Sequence, residues 1–119
     1  MLKKIIILVL FINFYNCEDL IEVEDISNES VTILAPVDNS ALDTTTVSFS
    51  WDSLEYAESY QLQIAKPNFD YAQEIILDTI IRATNFTKTL LSNSYQWRVR
   101  AKNFGYETTY TMRNLTIED

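Results

Sequence analysis

The chain has 119 residues, with 9 Lys+Arg against 17 Asp+Glu, one Gly, two Pro, one Cys and no His. That length fits a single domain, and without His the commonest general base and zinc ligand is missing. One Cys excludes an internal disulfide, one Gly excludes a glycine-rich phosphate loop, and a net charge of −8 opposes general binding of nucleic acid.

The first element is a short apolar run. Lys3 and Lys4 precede Ile5 to Phe14, which only Asn13 interrupts. A membrane-spanning helix needs roughly 20 apolar residues, so the run is too short to cross. Its charge order and length are those of a secretory signal peptide. No small-residue cleavage site follows; Cys17 stands at the boundary instead. The segment resembles the signal of a bacterial lipoprotein, with Phe14 and Asn16 where that family has a Leu-like and a small residue. The resemblance implies that residues 1–16 are removed and that Cys17 carries the lipid, making the membrane a partner. Each buried methylene of such a lipid adds about 0.8 kcal/mol of membrane affinity.

Beyond residue 16, 7 basic and 17 acidic residues remain, a balance of −10. Six of the acids (Glu18, Asp19, Glu22, Glu24, Asp25 and Glu29) fall in residues 17–29, without a base. Such a segment repels itself and is expected to be an extended, solvated tether. Acids directly after the lipidated Cys resemble the export signal of Bacteroidetes-type surface lipoproteins. That resemblance implies the outer membrane and the cell surface, with a periplasm-facing anchor as the alternative.

From residue 30 to 119 the apolar residues recur with period two. Val47, Phe49 and Trp51 alternate with serines, and Tyr60, Leu62 and Ile64 with glutamines. Tyr95, Trp97, Val99 and Ala101 alternate with Gln96, Arg98, Arg100 and Lys102. Alternation puts one face in a core and the other in water. Strands are expected at 31–36, 46–51, 58–65, 73–79, 84–90, 95–102 and 107–117. The segment 71–81 carries four Ile residues but no helix cap, and reads as a strand bent near Asp78. Turn residues separate the runs, with Pro36 to Ser40 as the first corner. The expected fold class is all-β: a seven-stranded antiparallel β-sandwich.

The residues Pro36, Val47 to Asp52, Ala57 to Ile64, Thr84 to Phe86, Leu91 and Tyr95 to Asn103 together resemble a fibronectin type III domain. They are most similar to the version found in Bacteroidetes surface lipoproteins. The resemblance covers residues 31–117 and implies that Trp51 is a core residue and that Tyr95 makes a hydrogen-bonded corner beside Leu91. It also marks Trp97 as part of the signature. Lys88 departs from it, falling where the fifth strand points an apolar residue inward. The final strand has apolar residues at both parities (Tyr106, Tyr110, Met112, then Leu115, Ile117), which a bulge would reconcile.

Few residues suggest chemistry. Glu55/Glu58 and Asp70/Glu74 are the available carboxylate pairs, but they fall in loops or at strand starts, where charges are solvated. Asp38-Asn39 with Asp43 is the nearest approach to a calcium loop. No cofactor, metal or catalytic site is assigned. Recognition is the better class: Gln61, Gln63, Gln96, Arg98, Arg100 and Lys102 should share one outward sheet face, locally basic on an acidic protein. Such a face either covers the sheet or contacts an acidic glycan or protein. Phe69, Tyr71, Phe104 and Tyr106 lie on or beside loops and either seal the sandwich ends or stack on sugar rings. The expected function is non-catalytic display, adhesion or ligand contact. The alternative is an accessory glycan-binding lipoprotein of a polysaccharide-uptake system, and a small hydrolase is the reading from a different class.

Overall fold

Alternating burial decides the architecture. In the computed structural model residues 22–119 are described, so the signal segment, Cys17 and the start of the acidic spacer lie outside the described residues. Eight strands form in chain order: β1 (Ile33–Ala35), β2 (Ser40–Leu42), β3 (Thr46–Trp51), β4 (Ser59–Lys66), β5 (Glu74–Ile81), β6 (Asn85–Thr89), β7 (Asn93–Lys102) and β8 (Thr111–Ile117). One sheet has the order β1-β3-β6 and the other β2-β8-β7-β4-β5. The all-β, two-sheet sandwich is therefore present, with no helix among the described residues.

Two expectations about strands need correction. The described residues form eight strands, not seven, and one pairing is parallel: β2 runs beside β8 from Ser40↔Leu115 to Leu42↔Ile117. The corner at Pro36 to Asn39 is a crossover between sheets. Asn39 adopts a φ of 62°, a left-handed conformation that Asn tolerates. The Asn114 N–H donates to the Asp38 carboxylate at 2.8 Å, and the Asn39 N–H donates to the Asn114 carbonyl at 2.9 Å. These bonds deliver residues 40–42 to the edge of the second sheet.

The last strand starts at Thr111, not at residue 107. Glu107 makes an isolated bridge with Lys102, but the buried Thr108 hydroxyl accepts the Ala101 N–H at 3.0 Å in place of a ladder carbonyl, so the regular ladder starts only at Thr111. β8 itself pairs with β7 without a shift, and the one-residue irregularity lies just before it, between the Lys102↔Glu107 bridge and the Val99↔Thr111 pair. Leu115 and Ile117 face the core, whereas Met112 is on the outside. The irregularity expected near Asp78 is a bulge at Ile76: Ile64 faces Leu77, and Ala65 faces Ile75.

Inward residues of both sheets make the core. Phe49, Leu62, Ile64, Trp97 and Val99 are fully buried, and Phe49 meets Trp97 edge-on, ring centroids 4.8 Å apart. Burying side chains of this size is worth roughly 1.5–3 kcal/mol each, with about 0.5–1.5 kcal/mol more from the aromatic geometry. The buried cluster runs from Ile26 to Ile117, so the segment 22–119 carries its own core and folds as a unit.

That boundary changes the picture of the acidic spacer. Residues 22–30 contain no strand, yet Ile26 is 2% exposed and sits in the core cluster. Asn103 Nδ2 donates to the Glu24 carbonyl at 2.8 Å, and the Ser27 N–H donates to Asp25 at 2.9 Å. The Ser27 hydroxyl first and its N–H second, both donating to the Asp25 carboxylate, hold Asp25 below the ordinary carboxylate range. The acidic side chains are exposed while one apolar side chain is inserted, so this stretch is docked, not freely solvated. It enters beside the 52–58 and 103–107 loops, and β8 ends at the opposite pole.

Candidate contact face

β4 and β7 are central neighbours in the five-stranded sheet, and their register sets Gln63 opposite Arg98 and Gln61 opposite Arg100. Because inward residues alternate with outward ones, all six residues assigned to the candidate face lie on the outer side. They are brought together. Arg98 Nε donates to Gln63 Oε1 at 2.7 Å; Arg100 Nε and Nη2 donate to Gln61 Oε1 at 3.0 and 2.7 Å. Gln61 in turn donates to Asp78 at 2.9 Å. Gln96 donates to Asn114 at 3.1 Å and accepts the Phe69 N–H at 3.0 Å.

The charges are less free than their number suggests. Glu107 forms ion pairs with Arg100 at 3.0 Å and Lys102 at 3.3 Å, so two of the three cations already face a carboxylate. Arg98 has no carboxylate partner among the described residues. Its guanidinium is stacked between aromatic rings, 4.0 Å from the centre of Phe69 and 4.2 Å from that of Tyr110. Cation–π contacts of this kind are worth about 0.5–2 kcal/mol. They hold the plane while its terminal N–H groups stay without protein acceptors among the described residues. The arrangement is a positioned donor fork, suited to a carboxylate, sulfate or phosphate oxygen pair.

Sequence reasoning missed the groups that make this geometry. Tyr110 stood in a segment read as strand, and Glu107 and Asp78 were not assigned to the face. Outward parity of Tyr110 and Met112 was the one available signal. Phe69 covers Arg98, whereas Tyr71 and Phe104 are largely exposed, at 80% and 85%. Tyr106 is also exposed, next to Asn103, whose side-chain oxygen accepts the Gly105 and Tyr106 N–H groups.

The other singled-out residues have structural surroundings. Trp51 and Trp97 are buried. Tyr95 is buried, and its hydroxyl donates to the Leu91 carbonyl at 2.6 Å, while the Leu91 side chain is exposed. Burial pushes the Tyr95 phenol up and the nearby Glu74 charge adds to this. Lys88 lines an open cavity of about 320 Å³ with Lys66, Glu74 and Tyr95, which lets its ammonium reach water from an inward-facing position. Glu55, Glu58, Asp70 and Glu74 are all exposed, and Glu74 pairs with Lys66 at 3.6 Å. Asp38 is taken up by Asn114.

Comparison with solved structures bears on the fold. The fn3 domain of human collagen alpha-1(XX) superposes with a TM-score of 0.58 at 13% identity, over 78% of this chain and 89% of that one. The Clostridium thermocellum CbhA fibronectin(III)-like modules give 0.55 at 10% identity, over 74% and 95%. A fibronectin type III domain from the human KIAA0970 protein gives 0.53 at 16%, over 75% and 73%. No protein-family model and no curated protein matches the chain. The fold is fibronectin type III-like, and at these identities the likeness concerns the fold alone.

Proposed function

We propose that the chain is a lipid-anchored, extracytoplasmic contact module, held on the outer membrane through Cys17 and facing the cell surface. It acts by display or adhesion and carries out no catalysis. The observation that carries the contact reading is the Arg98 fork: a cation fixed by Phe69, Tyr110 and Gln63, without a carboxylate partner among the described residues. A fixed, half-buried guanidinium loses little entropy when it meets an oxyanion pair, so the ligand class is acidic, as in a uronic-acid or sulfated glycan or an acidic peptide.

What supports the anchor is the basic-then-apolar run ending at Cys17. Metabolic labelling with a palmitate analogue should mark the chain and fail in Cys17→Ala; label retained in that variant would remove the anchor. Proteinase added to intact cells should digest the domain, and protection would place it on the periplasmic side. Binding of residues 22–119 to an array of acidic and neutral glycans tests the contact reading. A preference for neutral sugars would instead favour the accessory polysaccharide-uptake reading, with the exposed Phe104 and Tyr106 as its stacking groups.

A further inference from the structure

β5 closes one side of the five-stranded sheet, so among the described residues half of its backbone N–H and C=O groups have no strand to pair with. Natural edges are usually short or guarded by charged side chains, Pro or a bulge, and in β5 the bulge and Glu74 lie in its first half. β5 has eight residues, Glu-Ile-Ile-Leu-Asp-Thr-Ile-Ile, with neither Lys nor Pro. Its bulge at Ile76 leaves Leu77 to Ile81 as a regular ladder. Ile75 and Ile80 are 51% and 57% exposed. Asp78 is the single charge in the regular stretch, and Arg82 follows the strand, exposed and without an ion pair among the described residues.

We infer that β5 is a self-pairing edge: two copies of the chain join antiparallel through β5, about a two-fold axis centred on Ile80. Charge selects this register. Centring on Asp78 would set the two Asp78 carboxylates face to face, which is destabilising across a ladder. Centring on Thr79 would set each Asp78 against Ile80 of the second copy. Centring on Ile80 sets Asp78 opposite Arg82 of the second copy, twice by symmetry, with Ile80 against Ile80 between them. The Asp78 carboxylate keeps its bond from Gln61, made at 2.9 Å within its own sheet. Antiparallel pairing reverses one copy, so the two N-terminal ends lie at opposite poles of the pair. That geometry joins molecules held on facing surfaces; the pairing itself needs no lipid.

Sedimentation velocity of residues 22–119 across a range of concentrations tests it. The chain should shift from monomer to dimer as concentration rises. Ile80→Lys should weaken the dimer about tenfold or more, since like charges then meet across the axis. Asp78→Arg should weaken it as well, and Asp78→Arg combined with Arg82→Asp should restore it. Circular dichroism melting of each variant reports whether the fold is intact. A monomer at every concentration overturns the proposal. So does a dimer indifferent to Ile80→Lys, or a charge swap that restores nothing while the variants remain folded.

Discussion

The two faces of β7 are built from the same ten residues and are held by different physics. Tyr95, Trp97, Val99 and Ala101 are buried in the core cluster, where Trp97 meets Phe49 of the opposite sheet, so area and shape govern them. Gln96, Arg98, Arg100 and Lys102 lie on the outside, and there direction and charge govern. Burial is strong and indifferent to detail, whereas the outer network is weak per bond but fixes each group. The lesson is that a basic count does not make a basic patch. Glu107 pairs with both Arg100 and Lys102, the Gln61 side chain occupies further donors of Arg100, and Arg98 remains without a carboxylate partner among the described residues.

The contrast predicts unequal costs. Trp97→Ala should lose about 3–5 kcal/mol, as deletions of fully buried aromatics do, read as a large drop in the urea midpoint with an unchanged slope. Ile26→Ala should lose about 2–5 kcal/mol if the acidic segment is docked through that side chain. An unchanged midpoint would return the segment to a free tether. Tyr95→Phe should cost about 1 kcal/mol, the worth of one hydrogen bond. The same variant has a pH signature. Because the folded phenol titrates above its ordinary value near 10, its contribution is complete below that pH and is lost as the pH rises further. Alkaline melting of Tyr95→Phe should therefore show a shallower decline above pH 10 than the parent; identical slopes would remove the burial argument. Lys102→Ala should change stability by less than about 1 kcal/mol, because its partner and its own head are partly solvated.

Much of this was legible in the sequence. β3 and the alternation in β4 and β7 follow directly from Val47-Phe49-Trp51, Tyr60-Leu62-Ile64 and Tyr95-Trp97-Val99, because a core on one side enforces period two. β2 was not legible: three residues show no period, and the bonds that place them come from Asn114, far along the chain. Ile26 was hidden among acids, since a charge count averages over a segment while a core needs only one side chain. The Arg98 stack depends on Phe69 and Tyr110 arriving from separate loops, and no spacing rule connects them.

The self-pairing edge extends the comparison to the rim of the same sheet. β4, between two neighbours, has both sides of its backbone satisfied, while β5 has one side open. If Ile80→Lys leaves melting unchanged but abolishes the dimer, edge and core are separable, as the contrast requires.

The central claim is that the outer face presents one arginine. Titrating residues 22–119 with the best acidic ligand, beside Arg98→Ala and Lys102→Ala, tests it most directly. Loss of binding in Arg98→Ala with near-parental affinity in Lys102→Ala is the predicted result. Equal losses in both would mean a diffuse positive patch, and unchanged binding in Arg98→Ala would contradict the account.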